Sequence, residues 1–306
     1  MLNNQTPLPI LCCIGHITLD KVVTPEQSVS MPGGTAFYFA NAMLSFDDIH
    51  FHLTTAVAES ESQVVENLRQ KGVAVQSLPT EHSVYFENIY GENRNNRTQR
   101  VLAKARPFTV DSLKQVDANI YHLGSLLADD FPLETLQHLA AKGLVSVDSQ
   151  GYLREVRGTD VHPVDWAEKK EALQYIHFLK VNEHEMEVLT GTTHIRQAAE
   201  MLYQWGVKEV IITLGDLGSV IYDGENFYQI PAYKPHRIVD ATGCGDTYMT
   251  GYLYQRSKGE DIETSGKFAA AMSSIKMECM GPFSGKADEI YHCIESAPVY
   301  LHDMEL

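Results

Sequence analysis

The feature that most constrains the fold of this chain is an alternation between short apolar runs, rich in β-branched residues, and longer stretches of helical composition. The apolar runs predict strands at Ile10–Gly15, His50–Val57, Ile120–Gly124, Leu144–Asp148, Phe178–Asn182, Glu209–Leu214 and Ser219–Tyr222. The stretches between them predict helices such as Glu61–Lys71, Pro132–Lys142, Glu183–Thr190 and Ile195–Trp205. This β-α-β alternation favours a mainly parallel sheet covered by helices on both faces.

Glycines at the ends of the predicted helices support this interpretation. They are Gly72, Gly143, Gly191 and Gly206, each at a position where a helix can end in a left-handed residue. No repeat, low-complexity tract or long linker divides the 306 residues. We therefore expect a single domain that spans residues 1–306.

Two segments lack helical partners and break the alternation. Lys21–Met31 and Val84–Val101 have the composition of extended strands with charged residues and turn signals. Extra strands that leave a doubly wound sheet at its C-terminal edge can cover the crevice in which ligands bind. The two segments therefore predict a small β lid, with a pair of surface hairpins as the alternative. A homodimer that forms through this lid is a further expectation.

The charge balance excludes some classes of partner. The chain has 24 basic and 40 acidic residues, a formal net charge of −16 at pH 7. Such a surface repels phosphate backbones and anionic lipid, so we expect neither nucleic-acid nor membrane binding. A single triphosphate can still bind where a local positive site or Mg²⁺ offsets the field.

Cysteine usage and the N-terminus point to a cytoplasmic protein. The five cysteines are odd in number and show no CxxC spacing, which argues against a disulfide framework or a zinc site. No stretch approaches the ~18 apolar residues of a membrane helix. The N-terminal segment also lacks the basic residues that begin a signal peptide.

A glycine motif near the C-terminus carries the clearest chemical signal. Residues 240–246 read Asp-Ala-Thr-Gly-Cys-Gly-Asp and precede a predicted helix at Thr247–Arg256. Gly243 and Gly245 allow backbone N–H groups to converge, and the positive end of the helix dipole completes an anion hole for phosphate oxygens. Asp246 can then accept a proton from an attacking hydroxyl, as phosphoryl transfer requires. The alternative is a tight loop with an N-cap aspartate.

This motif resembles the D-[TS]-x-G-[AC]-G-D signature of the PfkB, or ribokinase-like, family of sugar and nucleoside kinases, and departs from it only at Ala241. The resemblance implies a ribokinase-like α/β fold and a kinase that uses ATP and Mg²⁺. It also implies that Asp246 is the general base and that the backbone of Gly243, Cys244 and Gly245 forms the anion hole. Cys244 is then a small residue in the turn and not a nucleophile.

The same resemblance extends to the acceptor side of the site. A second family hallmark is a paired glycine before a helix, matched by Gly33 and Gly34, and Asp20 corresponds to the substrate aspartate of the family. Tyr38 stands where most family sugar kinases have an asparagine, and Asn41 follows one helical turn later. The resemblance therefore implies substrate contacts from these five residues.

The identity of the acceptor is predicted from two short segments. Residues 33–41 and Ser146–Gly151 resemble the plant-type myo-inositol kinase branch of the family. This similarity favours an uncharged polyol, and a cyclitol such as myo-inositol ahead of ribose or fructose.

On the donor side, Asn182 and Glu185 match the N-x-x-E motif of the family. The resemblance assigns them to organising Mg²⁺ and phosphate, with Glu185 acting on the metal through water. The alternative is a helix N-cap with acidic residues in the first turn. The resemblance further implies nucleotide contacts at Thr213, Gly215 and Gly218, which match a T-x-G-x-x-G turn, at Thr242, and along Ala269–Met277.

Two other functions stay open at this point. A nucleoside kinase would stack a base on Phe37, Tyr38 or Phe39, and a non-catalytic sensor would use the same fold without chemistry. The presence of Asp246 counts against the sensor, because a sensor needs no base. The basic residues of the predicted lid and its flank, Arg94, Arg97, Arg100 and Arg106, are either a phosphate site or solvated side chains.

Overall fold

A nine-stranded sheet forms the centre of the computed structural model, which describes residues 10–25, 27–90 and 97–300. In spatial order its strands are β15 (Phe227–Ile230), β14 (Ser219–Tyr222), β13 (Glu209–Thr213), β12 (Phe178–Asn182), β9 (Leu144–Asp148), β8 (Ile120–Gly124), β1 (Ile10–Gly15), β4 (His50–Ala56) and β5 (Ala74–Leu78). In this spatial order, the seven strands from β13 to β5 pair in parallel with their neighbours. Strand β14 pairs antiparallel with both β13 and β15. The sequence did not predict β5 and β15, which are short strands at the two edges of the sheet.

A second, six-stranded sheet contains the described parts of both segments that break the alternation, while residues 26 and 91–96 lie outside the described residues. Its order is β10 (Arg154–Arg157), β11 (Asp160–Pro163), β7 (Arg97–Ala103), β6 (Val84–Tyr90), β2 (Thr18–Val23) and β3 (Ser28–Gly33). Val84, Phe86 and Val101 pack against Leu126 and Leu127, in the loop after β8. The hairpin β10–β11 was not predicted, because four-residue polar strands give little periodic signal.

Ten helices in the described residues cover both faces of the central sheet. They are α1 (Thr35–Met43), α2 (Gln63–Gln70), α3 (Val110–Leu113), α4 (Leu133–Ala140), α5 (Lys169–Ala172), α6 (Glu183–Thr190), α7 (Ile195–Gln204), α8 (Cys244–Ser257), α9 (Ile262–Met277) and α10 (Ala287–Ser296). One apolar cluster joins α1, α8 and α9 to the face that carries Leu11 and Cys13, and another joins α4, α6 and α7 to the face that carries Cys12 and Ile14. The side chains of alternate residues of β1 thus point to opposite faces of the sheet. None of the helices described is both long enough and apolar enough to span a bilayer.

The helix-terminal glycines behave as predicted at three positions of four. Gly72, Gly191 and Gly206 have positive φ angles of 98°, 75° and 123°. Gly143 does not, and the prediction of a left-handed cap there is wrong. A Cβ at Gly143 would lie 2.6 Å from the carbonyl oxygen of Ala118, so this position needs glycine for space.

The strand order places a crevice at one edge of the central sheet. Strand β1 lies between β4 and β8, so the chain proceeds from β1 toward opposite edges. Ligands of open α/β sheets bind beyond the carboxyl ends of the strands at such a switch point. The second sheet begins directly after β1, at Thr18, and so starts at this same edge.

Candidate active site

The glycine motif forms the beginning of α8. Gly243 adopts a left-handed conformation with φ of 76° and caps the helix, which starts at Cys244. The sequence placed the start at Thr247, so the helix is longer at this end and Asp246 lies in its first turn. The N–H groups of a first turn lack partners within the helix and carry its positive dipole end. The N–H of Cys244 is partly used, because it donates to the Ala241 carbonyl at 3.3 Å.

The two glycines of the turn act differently. A Cβ at Gly243 would lie 2.3 Å from the ring of Tyr38, so this residue needs both its left-handed backbone and its missing side chain. Gly245 lies within the helix and has no positive φ. The prediction that Gly245 needs backbone freedom is therefore wrong. A Cβ there would lie 3.3 Å from the Lys180 Nζ, a close contact with the end of that side chain.

Asp246 has the properties of a base that works near neutral pH. Burial, together with the charge of Asp148, raises the pKa of Asp246 to about 6. A hydrogen bond from Thr35 and the charges of Lys180 and Arg154 act in the opposite direction. A carboxylate with this pKa is ionised at pH 7 and is a stronger proton acceptor than an ordinary aspartate.

Cys244 lacks the properties of a nucleophile. Burial raises the pKa of its thiol to about 11, so the sulfur stays protonated at neutral pH. The thiol donates to the Ser273 carbonyl, and the Ser273 hydroxyl donates to the Cys244 carbonyl at 2.9 Å. These contacts attach the turn to α9. They agree with a structural role of Cys244 in the turn.

A buried lysine that the sequence analysis did not single out lies beside the turn. The Lys180 Nζ lies 3.0 Å from Asp148 Oδ2 and 3.8 Å from Glu185 Oε2, and these three residues are 5–6% exposed. Burial lowers the pKa of Lys180, but the charges of Asp148 and Glu185 outweigh it and leave the pKa above its ordinary value. The signal was a lysine inside an otherwise apolar strand, two residues before Asn182.

Asn182 and Glu185 bind each other at the start of α6. The Asn182 side chain accepts from the Glu185 N–H at 2.8 Å, and the Glu185 carboxylate accepts from both nitrogens of Asn182 at 2.8 Å. This is a capping box, the structural alternative stated above. Burial and the nearby Asp148 raise the pKa of Glu185, against the charge of Lys180.

The carboxylates of this region fit magnesium only in part. Asp148 and Glu185 offer the oxygen ligands that Mg²⁺ prefers, but both contact Lys180. The described residues contain no group of three or more acidic, histidine or cysteine side chains that could hold a metal ion. The arrangement therefore fits a magnesium ion whose remaining ligands are water and donor phosphates.

On the acceptor side, Asp20 lies within β2, a strand of the second sheet. Its Oδ1 accepts from the Thr18 hydroxyl at 2.7 Å. A Cβ on Gly33 would lie 2.3 Å from Asp20 Oδ2, so the missing side chain makes room for this carboxylate. Gly34 has a φ of 83° and caps α1, whose first residue, Thr35, hydrogen-bonds to Asp246.

The predicted substrate residues on α1 have different environments. Tyr38 is 5% exposed and packs on Gly243; burial and the charges of Asp240, Asp20 and Asp246 raise its pKa. Tyr38 is therefore close enough to the predicted acceptor aspartate and the predicted base to be affected by both charges. Asn41 is buried, and both its polar groups are engaged: it donates to the Phe37 carbonyl at 2.8 Å and accepts from Lys71 at 3.1 Å. Its role in acceptor binding stays a prediction that these bonds do not support.

On the donor side, the T-x-G-x-x-G segment joins β13 to β14. The Thr213 hydroxyl donates to the Val181 carbonyl at 3.4 Å, Gly215 has a φ of 61° with open space beside it, and Gly218 has a φ of 94°. Thr242 is exposed, and its N–H donates to Asp240 Oδ1 at 2.9 Å. Their nucleotide contacts stay predictions.

An exposed apolar patch adjoins the glycine motif. The segment before Asp240 lies against the end of α9, where the N–H of Val239 donates to the Met277 carbonyl at 2.8 Å. Ile238, Val239 and Met280 are 70%, 44% and 72% exposed. Residues Ala269–Ala271 begin the segment Ala269–Met277, for which nucleotide contacts were predicted, and are instead buried in the core.

The predicted basic patch is largely neutralised where it is described. Arg100 pairs with Glu87 at 3.5 Å and donates to Thr159, and Arg106 donates to the Pro79 carbonyl. Arg94 and the side chain of Arg97 lie outside the described residues. These contacts favour solvated surface residues over a phosphate site.

Comparison with known proteins agrees with this geometry. The sequence pattern of the pfkB family carbohydrate kinases matches residues 12–288. The chain is similar to the cytidine kinase of Thermococcus kodakarensis, with 28% identity over 83% of this chain and 90% of that protein. The structure is similar to a pyrophosphate-dependent kinase of the ribokinase family solved with a pyrophosphate analogue and myo-inositol. Their identity is 27% and the TM-score 0.81, over 92% of this chain and 99% of the other.

The fold itself recurs in ribokinase. The structure of Arabidopsis thaliana ribokinase with ribose and ATP superimposes with a TM-score of 0.79 at 21% identity, over 95% of this chain and all of the other. The predictions of a ribokinase-like α/β fold and of a kinase are confirmed, and the sensor alternative loses its support. Because the family pattern matches residues 12–288, nearly the whole chain, this chain belongs to the pfkB family of carbohydrate kinases.

Proposed function

We propose that the chain transfers the terminal phosphoryl group of ATP to a hydroxyl of a small polyol, with a cyclitol as the foremost acceptor. One observation carries the proposal: Asp246 lies in the first turn of α8 with a raised pKa, and Tyr38 is close enough to both Asp246 and Asp20 for their charges to raise its pKa. A base, a positive helix end and an acceptor-side carboxylate are thus gathered around one space at the edge of the sheet.

The chemistry follows from this placement. The acceptor hydroxyl oxygen attacks the terminal phosphorus of ATP and forms a new P–O bond, while the bond to the β-phosphate oxygen breaks and ADP leaves with its electron pair. The hydroxyl proton passes to the Asp246 carboxylate. The first-turn N–H groups of α8 point their partial positive charge at the phosphate oxygens, where negative charge accumulates.

ATP as the donor is supported by the exposed patch of Ile238, Val239 and Met280, an apolar surface beside the phosphate turn that suits an adenine base. The similar Arabidopsis thaliana ribokinase was solved with ATP. Mg²⁺, held by Glu185 through water, would supply further positive charge to the donor phosphates.

A cyclitol is favoured by the chemistry of the acceptor side. Asp20 offers a carboxylate to vicinal hydroxyls, and Tyr38 presents an aromatic wall to ring C–H groups. Phe39, one of the aromatics that a nucleoside would need, is fully buried and stacks on His122, with ring centroids 4.9 Å apart. The structural similarity to a kinase solved with myo-inositol adds support.

A nucleoside is the second candidate acceptor. The similarity to a cytidine kinase over 83% of the chain favours it, and Phe37 remains half-buried and able to contact a base. These observations concern the acceptor only and leave the donor chemistry unchanged.

The test is a panel of acceptors assayed for ADP release, with myo-inositol, other cyclitols, ribose, fructose, cytidine and adenosine at equal concentrations. We expect a cyclitol to give the highest kcat/KM. A site that pairs hydroxyls rejects analogues that lack them by up to ~10⁴-fold, so deoxygenated inositols should be poor acceptors. If a nucleoside gives a higher kcat/KM than every polyol, the cyclitol is wrong and the acceptor is a nucleoside.

We further propose that the protein acts in the reducing cytoplasm and forms a homodimer through its second sheet. All five cysteines are free thiols. Strand β3 is an edge strand whose residues Ser28–Ser30 are exposed, so its backbone can pair with another copy. Light scattering of the intact protein tests the dimer, and a monomer at micromolar concentration would contradict it.

A further inference from the structure

We propose that the Lys180 ammonium contacts the phosphoryl group during its transfer and that Asp148 and Glu185 hold it in that position. The inference rests on the proposed phosphotransfer and adds a residue that neither the glycine motif nor the N-x-x-E motif contains.

The position of Lys180 carries the first step. It lies in β12, two residues before the carboxyl end of that strand, and its side chain reaches the turn that begins α8. The Nζ atom lies 3.3 Å from the place that a Cβ on Gly245 would occupy. The ammonium therefore lies beside the backbone groups that face the donor phosphates. The missing side chain at position 245 keeps the space between them open.

The charge balance carries the second step. Lys180 is 5% exposed and contacts two buried carboxylates, at 3.0 Å and 3.8 Å. Burying three ionised groups costs more desolvation free energy than burying apolar residues of the same volume. A contribution to the stability of the fold therefore does not account for this cluster. The ammonium group has three N–H donors, and with two carboxylates in contact it can still donate to an incoming anion.

The third step is the chemistry at the phosphorus. As the hydroxyl oxygen bonds to phosphorus and the bond to ADP breaks, negative charge spreads over the equatorial phosphoryl oxygens and the departing oxygen. The proton of the hydroxyl goes to Asp246, and Lys180 keeps all of its own. Its fixed ammonium stabilises the developing charge, as preorganised donors do in other sites where water is excluded.

The test compares three purified proteins: Lys180→Met, the double variant Lys180→Met/Asp148→Asn, and Lys258→Met. Lys258 also pairs with an aspartate, Asp48 at 2.6 Å, but at the far end of α8, and serves as the matched control. We expect Lys180→Met to lower kcat by ~10²–10³-fold, the usual effect of losing one such donor, with the acceptor KM nearly unchanged. Lys258→Met should keep wild-type kinetics.

The double variant separates a chemical role from a structural one. If Lys180 only balanced buried charge, removing Asp148 as well would restore stability and turnover together. The proposal requires that thermal stability recovers and kcat stays low. A double variant that regains wild-type kcat would overturn it, as would a folded Lys180→Met enzyme with unchanged kcat.

A binding measurement makes the result independent of the acceptor. Titration calorimetry with inorganic pyrophosphate should show about ten- to hundred-fold weaker binding to Lys180→Met than to wild type, the range for losing a hydrogen bond to a charged group. If the wild type transfers no phosphoryl group to any acceptor, the proposed function fails, but this measurement still decides the inference. Equal pyrophosphate affinity in both proteins would overturn the contact.

Discussion

At the scale of single residues, the site depends on the balance of charges around Asp246. Asp148 and burial favour its protonated form, whereas the Thr35 hydroxyl, Lys180 and Arg154 favour the carboxylate. The outcome is a pKa of about 6, about two units above the ordinary 3.8. A general base is most effective when its pKa lies near the working pH, so this pKa suits a base that acts near neutral pH.

The pH dependence of kcat/KM tests this balance. Asp246 must be ionised to accept a proton, so activity should fall about tenfold per pH unit below about pH 6 and level off above it. Thr35→Val removes the hydrogen bond that lowers this pKa and should move the acidic limb to higher pH. A profile flat down to pH 5, or one that Thr35→Val leaves in place, would contradict the assignment.

Gly243 offers a second test at this scale. Gly243→Ala would force a side chain into a left-handed backbone, which costs about 1–2 kcal/mol, and would also press on the Tyr38 ring. Gly259→Ala is the matched control, because Gly259 has a similar φ of 85° with nothing within 4 Å. We expect both variants to lose thermal stability and only Gly243→Ala to lose most of its kcat/KM. Equal kcat/KM in the two variants would show that the conformation of the turn at Gly243 is not needed for catalysis.

At the scale of elements, the sequence predicted those with a strong periodic signal and missed those without it. Seven of the nine strands of the central sheet were identified, because buried strands are continuous apolar runs. The hairpin β10–β11 has exposed polar residues, so its formation depends on pairing with β7, which no local pattern reveals. The start of α8 was misplaced for a related reason, because Cys244 and Gly245 are weak helix formers that the turn holds in place.

The same contrast holds for the site. Asp246, Gly243 and Asp20 were singled out from the sequence because the family resemblance assigns roles to them, and these roles stay predictions. Lys180 was not singled out, since its partners Asp148 and Glu185 come from a neighbouring strand and a following helix. Only the parallel pairing of β9 with β12, which sets Lys180 opposite Asp148, brings them together.

The second sheet provides a prediction at this scale. We expect it to close over bound acceptor and exclude water, since an open site would lose ATP to hydrolysis. Hydrogen exchange in β3 and β6 should slow when the acceptor is added at saturation. Strand β5 is a matched control, because it is an edge strand of the central sheet outside the proposed site. Unchanged exchange in β3 and β6, or equal slowing in β5, would refute the closure.

At the scale of the whole molecule, a strongly acidic protein binds an anionic donor. The net charge of −16 is spread over the chain, while Lys180 and Lys276 are buried near the glycine turn. Lys276 is fully buried and donates to the carbonyl and the carboxylate of Asp240. Attraction is therefore local and short in range, whereas repulsion acts at longer range.

Salt should consequently aid donor binding. Added salt screens exposed charges more than buried ones, so the KM for ATP should fall, by about two-fold, between 10 mM and 100 mM salt. The KM for an uncharged acceptor should not change and serves as the internal control. A KM for ATP that rises with salt would show that a positive surface steers the donor instead.

The central claim, that Asp246 is the base for phosphorylation of a hydroxyl, is tested most directly by acceptor-dependent ADP release from wild type and Asp246→Asn. We predict a loss of ~10²–10⁴-fold in kcat, the usual range for a general base. Since a raised carboxyl pKa disfavours the folded state above pH 6, the variant should melt no lower than wild type at pH 7.5. Glu134→Gln, in the exposed first turn of α4, should retain full activity. A folded Asp246→Asn enzyme that keeps more than a tenth of wild-type turnover would contradict the claim.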